Sequence, residues 1–141
     1  MKNIKIRLLS PSEVNSIIPL LQQLDKKLSR EMLSERLSCM ISEGYQCVGV
    51  FERQKLIGVS GMWITTRYYC GKFVEPDNVV INKEYRNKGI GKKLMAWIYD
   101  YARNNGCIWS ELSAYVTNPR AHKFYLNEGY NILGYRFCRK L

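Results

Sequence analysis

The sequence is poor in the side chains that hold metal ions. Its 141 residues include a single histidine, His122, and five cysteines that form no CxxC pair. A structural zinc site needs about four nitrogen or sulfur ligands held close together, so we expect no metal centre. The cysteines are odd in number and no export signal accompanies them. We therefore expect reduced thiols that pack as small buried hydrophobic residues, at Cys39, Cys47, Cys70, Cys107 and Cys138.

Long apolar runs are missing as well. Every apolar stretch is interrupted well before the roughly 18 residues that a membrane span needs, and the opening MKNIKIRLLSPSEV turns polar too soon for a signal-peptide core. These absences predict cytoplasmic residence and no membrane partner. Hydrophobic residues still make up 46% of the chain and charged residues 24%, which is typical of a globular protein. At this length we expect one domain, residues 1–141.

Acidic residues are few compared with basic ones. The chain has 12 Asp and Glu against 22 Lys and Arg, a net charge of +10. The excess is spread along the chain, and no predicted element carries a dense basic stripe with interleaved aromatic residues. We therefore expect no nucleic-acid partner, although a basic nucleic-acid binder stays open as a minor alternative. A small polyanionic ligand is compatible with this charge.

Hydrophobic periodicity predicts a mixed α/β fold. Residues 4–9 favour a strand, a helix follows from Ser10 and Pro11, and a second helix is expected over residues 29–43. Between residues 45 and 69 the period changes to two, which predicts a long antiparallel hairpin. The next stretch, FVEPDNVVI, predicts another strand, in which Pro76 marks a bulge or irregular pairing because proline cannot donate to the ladder.

The second half of the chain alternates helices and strands. A helix of about four turns is expected from Ile90 to Asn105-Gly106, because its apolar residues share one face. CIWSELSAYV returns to strand character, Asn118-Pro119 opens a short helix that ends at Gly129, and YNILGYRFCRKL predicts a final strand or hairpin. The order is β-α-α-β-β-β-α-β-α-β(-β), a mixed α+β layer sandwich.

The segment RNKGIG, residues 86–91, is the most informative motif. It joins a predicted strand to a predicted helix, and the unpaired first-turn N–H groups of that helix favour an anion. Gly89 and Gly91 allow a phosphate to approach the main chain closely. Cationic side chains surround the turn: Arg86, Lys88, Lys92 and Lys93. The motif fits neither a Walker loop nor a dinucleotide-binding GxGxxG pattern.

Two motifs in order resemble the GNAT superfamily of N-acetyltransferases. The first is VVIN followed by RNKGIGKKL, and the second is NPRAHKFY followed by EGY. The resemblance covers the whole chain in element order. It implies one GNAT domain with a central, mostly antiparallel sheet of six or seven strands and about four flanking helices. It also implies acetyl-CoA as co-substrate, a primary amine of an unidentified small molecule or peptide as acceptor, and a possible homodimer through the C-terminal strands.

The resemblance assigns roles to individual positions. The main chain of Val79, Val80 and Ile81 would pair with the pantetheine arm, as an added strand does. Asn118 would lie near that arm, although it also has the position of an ordinary helix cap. Tyr125 would lie near the thioester sulfur as an O–H donor. The pyrophosphate would be held by Arg86, Asn87, Lys88, Gly89, Ile90, Gly91 and Lys92.

The general base is not fixed by either motif. Asp77 ranks first, then Glu111, then Glu75, and an ordered water is an alternative to all three. Carboxylates near the acceptor would favour a cationic amine. Candidate residues for lining the acceptor pocket are Tyr45, Trp63, Tyr68 and Tyr69. A CoA-binding sensor or interaction module without catalysis remains the main alternative function.

Overall fold

A single five-stranded sheet forms the centre of the computed structural model, which describes residues 3–141. The strands are β1 (Ile4–Leu8), β2 (Gln46–Glu52), β3 (Lys55–Arg67), β4 (Gly71–Ile81) and β5 (Trp109–Ser110). They follow one another across the sheet in chain order. The first four are antiparallel neighbours, and β5 pairs parallel with β4.

Four α-helices cover the sheet over the described residues: α1 (Ile18–Leu24), α2 (Arg30–Ser42), α3 (Ile90–Asn104) and α4 (Pro119–Asn127). None of them is long and apolar enough to cross a membrane. The sequence places α2, α3 and α4 well, because their ends carry capping residues. Ser29 Oγ, for example, accepts from the Met32 N–H at 3.1 Å. The first helix begins differently, with a 3-10 turn over Pro11–Ile17 before α1.

The apolar core lies in two layers, one on each face of the sheet. On one face the 3-10 turn, α1 and α2 bury residues such as Ile17, Ile18 and Leu37. On the other face α3 buries Leu94 and Ile98. Burying one such side chain fully contributes about 1.5–3 kcal/mol of transfer free energy. The two-layer packing of helices on a sheet confirms the predicted α+β class.

The bulge in β4 lies two residues beyond the predicted position. Pro76 pairs regularly with Met62. The register shifts only after Gly61 and Asp77, so that Asn78 and Val79 lie opposite Ser60 alone. The prediction at Pro76 was wrong because its nitrogen faces away from β3, on the same edge as the Val74 carbonyl that bonds to Glu111, so the β3–β4 ladder needs no donor there. Asn78 instead takes a left-handed φ of 54°, a conformation that asparagine adopts more readily than most residues.

The predicted count of six or seven strands was also wrong. In the described part of the chain, β5 covers two residues of the segment 107–116, and residues 131–141 form no strand. Those last residues are exposed, and none of them forms a hydrogen bond to residues 3–130. A strand needs a partner for its N–H and C=O groups, and alternation in the sequence does not supply one.

The cysteines follow the predicted pattern only in part. All five are free thiols. Cys47 and Cys107 are buried as expected, whereas Cys39 and Cys138 are exposed and Cys70 is intermediate. The expectation of buried thiols was therefore wrong for the exposed pair. Cys39 lies on the outer side of α2, and Cys138 belongs to the exposed segment 131–141.

Candidate active site

On the side away from β3, most of the edge of β4 has no paired strand within the part of the chain that the structure describes. Parallel pairing with β5 is confined to Phe73 and Val74, and the last hydrogen bond runs from the Glu111 N–H to the Val74 carbonyl at 3.1 Å. Beyond that point the described chain gives residues 75–81 a neighbour on the β3 side alone. The main-chain groups of Val79, Val80 and Ile81 thus border a slot. Val79 and Ile81 pack against the same core layer as Tyr125.

The glycine-containing turn closes one end of this slot. Residues 82–91 connect β4 to α3, and Asn82 starts the turn by accepting from the Glu84 N–H at 3.1 Å. Asn87 and Gly89 both adopt a positive φ, 62° and 78°, and Gly89 is the N-cap of α3. A Cβ at Gly89 would meet nothing within 4 Å, so this turn faces open space. Ile90 is buried in the core and anchors the first turn of α3.

Gly91 has a different role from the one that the sequence suggested. A Cβ at this position would lie 3.2 Å from the ring of Phe124, in α4. The missing side chain therefore lets α3 and α4 pack closely. Only Gly89, of the two glycines, has its Cβ direction free for a ligand. Both glycines shape the site, one by its backbone conformation and the other by the helix that it allows to approach.

Arg86 braces the turn against the end of β4. Its Nε donates to the Ile81 carbonyl at 3.1 Å. Burial, and secondarily the charge of Arg120, lowers the pKa of Arg86. Two guanidinium groups on different elements thus create a positive potential beside the N-terminus of α3. Sequence reasoning did not identify Arg120 as a site residue, although its place in the first turn of α4, within the NPRAHKFY motif, offered a signal.

The three lysines around the turn are less closely engaged. Lys92 and Lys93 are exposed at the start of α3. Lys88 is exposed as well, and its Nζ lies 5.4 Å from the centre of the Tyr85 ring. Their long side chains remain free to reach an anion at the turn, where they act as point charges.

Tyr125 lies near the other end of the slot, on α4. Its ring packs edge-on against Phe124 and Tyr130, with centroids 5.3 Å and 5.8 Å away. Burial, with smaller contributions from Tyr130 and Asp77, raises the pKa of Tyr125 to about 12. The phenol therefore keeps its proton over the whole neutral range. No residue from 3 to 141 hydrogen-bonds to its hydroxyl, which leaves that group available as a donor to a ligand.

Asn118 caps α4. Its Oδ1 accepts from the Ala121 N–H at 3.1 Å, so the capping interpretation of this residue is confirmed. The side chain is exposed, and the cap itself fixes the direction in which α4 leaves the slot. Asn118 would have a second role, besides capping α4, only if its side chain also contacted a ligand.

Glu75 and Asp77 lie side by side on the α1–α2 face of β4, immediately before the bulge. Trp63 Nε1 donates to Asp77 Oδ2 at 2.9 Å. Glu75 receives no hydrogen bond within residues 3–141, and no Lys or Arg of that range lies within 4.0 Å of it. Burial, followed by the charge of Asp77, raises the pKa of Glu75. This carboxylate is thus ready to bind a proton or a cation.

Glu111 is already engaged by neighbours. It forms an ion pair with Arg67 at 3.8 Å, accepts from Trp109 Nε1 at 3.1 Å, and accepts from the Tyr69 hydroxyl. The hydrogen bond to Glu111 is the main cause that raises the pKa of Tyr69 to about 12. Glu111 therefore has fewer lone pairs free to accept a hydrogen bond or a proton from a substrate than Glu75 has.

The four aromatic residues predicted to line an acceptor pocket occupy different environments. Tyr68 is fully exposed, and Tyr69 lies on the rim beside Glu111. Trp63 is partly buried between Asp77 and Tyr45. Tyr45 is only 4% exposed, so little of its surface is available to line an acceptor pocket.

No group of three or more His, Cys, Asp or Glu side chains within residues 3–141 could hold a metal ion. The functional groups gathered along the slot are main-chain amides, guanidinium groups, a phenol and two carboxylates. This set can bind a long ligand with an anionic end and can accept a proton at the opposite end.

Comparison with known proteins adds a family to this geometry. A family model described as the acetyltransferase (GNAT) family matches residues 15–130. The uncharacterized N-acetyltransferase YhdJ of Bacillus subtilis is 27% identical over 133 residues, which cover 93% of this chain and 94% of that protein. An aminoalkylphosphonate N-acetyltransferase of Salmonella typhimurium is 37% identical over 67 residues, 48% of this chain and 44% of that protein.

The fold is also found among solved structures. The aminoglycoside N-acetyltransferase AAC(6')-Iy in complex with CoA matches with a TM-score of 0.83, over 97% of this chain and 94% of that one. The sequence identity of this pair is 17%, so the likeness is one of fold.

Proposed function

The chain belongs to the GNAT family and is an N-acetyltransferase, and from that premise we propose that it acetylates a cationic primary amine with acetyl-CoA. The GNAT family uses acetyl-CoA as acetyl donor. We place the donor in the slot along β4 and the amine on the carboxylate-bearing face, within one domain of residues 1–141. Each part of this assignment is supported by residues described above.

The open edge of β4 fits the pantetheine arm. An extended chain with amide groups can pair with those main-chain groups of Val79, Val80 and Ile81 that are not bonded to β3 or Arg86, as an added strand pairs with a sheet edge. Asn118 lies at the start of α4, where its side-chain nitrogen is free to contact the same arm. The partly buried side chains of Val79 and Ile81 supply an apolar wall.

The turn at the end of the slot fits the diphosphate. The positive φ of Asn87 and Gly89 turns the chain sharply into the N-terminus of α3, where main-chain N–H groups are unpaired. Arg86 and Arg120 supply charge from two sides, and Lys88 and Lys92 lie within the same turn. Gly89 leaves the approach free of a Cβ.

Tyr125 assists departure of the thiol as a hydrogen-bond donor. Acetyl-CoA supplies the activated thioester when it is bound. A phenol with a pKa of about 12 is a weaker acid than a thiol of pKa about 8.5, so full proton transfer from Tyr125 to a thiolate is uphill. The hydroxyl therefore stabilises developing charge on sulfur through a hydrogen bond and keeps its own proton.

Glu75 is the carboxylate best placed to accept the proton of the amine. Asp77 already accepts a hydrogen bond from Trp63. Glu111 is already bound by Arg67, Trp109 and Tyr69. Glu75 has no such partner among residues 3–141, and its raised pKa makes it a better base than an ordinary carboxylate. Together with Asp77 it also attracts a cationic ammonium group to the face where transfer occurs.

The exposed segment 131–141 supports a homodimer. It presents several apolar side chains that are more than two-thirds exposed: Ile132, Leu133, Tyr135 and Phe137. An exposed segment with apolar side chains and without hydrogen bonds to residues 3–130 has main-chain groups that can pair with a second copy. We therefore include a dimer through the C-terminal segments in the proposed function.

The open edge of β4, with cations at one end and Tyr125 and Glu75 at the other, is the observation that carries this proposal. Its test measures thiol release from acetyl-CoA with a panel of amines: a polyamine, an aminoalkylphosphonate, an aminoglycoside and a peptide N-terminus. Turnover with a cationic amine supports the proposal. Thermal stabilisation by CoA without turnover of any amine would instead favour a CoA-binding sensor.

A further inference from the structure

Tyr45 occupies a fixed position between α2 and the centre of the sheet. It follows α2 directly, and its N–H donates to the Met40 carbonyl at 2.9 Å. The ring is buried beneath β3 at Gly61, where any Cβ would overlap the phenol. A phenol in this position is enclosed on all sides, so it has little freedom to choose other partners.

The phenol contacts Asn78 in the β4 bulge directly and is linked to Asp77, just before it, through Trp63. Its hydroxyl donates to Asn78 Oδ1 at 3.2 Å. Its ring lies 5.1 Å, centroid to centroid, from Trp63, and Trp63 in turn donates to Asp77 at 2.9 Å. Asn78 has a φ of 54°, which asparagine adopts more readily than most residues, and contacts of its side chain help to hold the bulge. Tyr45 supplies one of those contacts directly.

The bulge determines which residues of β4 face which layer. Before it, Glu75 and Asp77 face the α1–α2 layer, as does their cross-strand neighbour Trp63. After it, Val79 and Ile81 face the α3 layer and the slot. Because side chains alternate along a strand, the extra residue reverses this alternation. The alignment of the carboxylates with the slot therefore depends on the bulge.

We propose that Tyr45 is a positioning residue for acetyl transfer, which holds the β4 bulge through Asn78 and the Asp77 carboxylate through Trp63. The inference rests on the function proposed above. Tyr45 acts through these two residues and does not itself reach the slot. Burial raises the pKa of Tyr45 above its usual value, so the hydroxyl keeps its proton in the neutral range.

The first test is Tyr45→Phe, which keeps the ring against Trp63 and removes the hydroxyl alone. We expect kcat to fall about tenfold, while the KM for acetyl-CoA and the stabilisation by CoA stay within about twofold. The matched control is Tyr101→Phe, which removes a phenol hydroxyl that bonds Gln46 at the surface. That control should leave kcat unchanged. A Tyr45→Phe variant with lower thermal stability but parental kcat would overturn the inference.

A second series tests the coupling with Asn78. Asn78→Asp keeps an acceptor and tolerates a positive φ, so we expect it to retain most of the activity. Asn78→Gly keeps the backbone conformation and loses the acceptor, and it should lower kcat as Tyr45→Phe does. The double variant should be no worse than either single one. Multiplied losses in the double variant would contradict a shared role.

The two proposals fail in different ways. If the unmodified chain releases thiol with some amine while Tyr45→Phe and Asn78→Gly match it in kcat, only the positioning role is wrong. If the unmodified chain binds CoA but acetylates no amine, the proposed function is wrong and the positioning role falls with it.

Discussion

Trp63 donates a hydrogen bond of 2.9 Å from its indole nitrogen to Oδ2 of Asp77, across the β3–β4 pair. The strand register places Trp63 opposite Glu75 and places Asp77 opposite Gly61, so this bond runs diagonally. This hydrogen bond holds the carboxylate of Asp77, whereas the carboxylate of Glu75 accepts no hydrogen bond within the described residues. Under the proposed function, the fixed Asp77 would orient a cationic amine and the neighbouring Glu75 would accept its proton.

Glu75→Gln should stabilise the protein at neutral pH. The fold raises the pKa of Glu75 above its unfolded value near 4.5, so the folded state disfavours the ionised form. That penalty is absent below about pH 4.5 and grows as the pH rises through the folded pKa. We expect Tm to rise by about 1–2 °C at pH 7 and to match the parent near pH 4. Glu35→Gln, at an exposed position on α2, is the control.

The same Glu75→Gln variant should acetylate amines poorly. Without a carboxylate to accept the ammonium proton, we expect kcat/KM for the amine to fall about a hundredfold at pH 7. Part of the loss should be recovered at higher pH, where more of the amine is already deprotonated. Parental kcat/KM at pH 7 would contradict the assignment of Glu75 as base and return Asp77 or an ordered water to first place.

Tyr125→Phe should separate chemistry from binding. Phenylalanine keeps the edge-on packing against Phe124 and Tyr130 and loses the hydroxyl alone. We expect turnover to fall about tenfold to a hundredfold with the Kd for CoA within about twofold. Because the pKa of Tyr125 is about 12, the parental enzyme should show no loss of rate from this group between pH 8 and 10. Equal losses of turnover and CoA affinity would argue against a donor role.

Gly89→Glu should abolish CoA binding without unfolding the chain. Any side chain at a φ of 78° carries about 1–2 kcal/mol of strain, and glutamate adds an anion where the diphosphate is proposed to lie. Gly89→Ala carries the strain without the charge and is the matched control. Calorimetric titration with CoA should show a far larger loss for glutamate than for alanine. Similar affinities in the two variants would mean that the phosphates bind elsewhere.

Deletion of residues 131–141 should change the oligomeric state. We expect the full chain to elute as a dimer in size-exclusion chromatography with light scattering, and the shortened chain to elute as a monomer. Phe137→Asp, in an otherwise complete segment, should weaken the dimer because it places a charge among apolar contacts. A full chain that remains monomeric at about 100 μM would contradict the proposed dimer.

Local signals in the sequence predicted the elements that depend on local chemistry. Helices α2, α3 and α4 begin and end where capping residues such as Ser29, Gly89 and Asn118 stand. The bulge was misplaced, because it depends on how β3 and β4 pair and not on Pro76 alone. The lengths of β5 and of the last segment were overestimated for a related reason: alternation shows that a strand is possible but not that a partner is present.

The candidate site likewise combines features that local sequence predicts with features that depend on distant contacts. The turn at residues 86–91 and the position of Tyr125 follow from contiguous motifs. The contributions of Arg120 and Tyr45, and the different engagement of Glu75, Asp77 and Glu111, follow from contacts between residues far apart in the chain. Such contacts leave no pattern in a single sequence, because nothing in the spacing of Tyr45 and Asn78 indicates that they meet.

The free edge of β4 has a consequence for handling the protein. Along residues 75–81, the main-chain N–H and C=O groups that do not bond to β3 can be used by another strand, and Pro76 withholds one donor from that row. Aggregation during concentration and storage should therefore begin at this edge. Turbidity should develop sooner in samples without coenzyme than in samples saturated with it, since an occupied slot offers no template for fibrils.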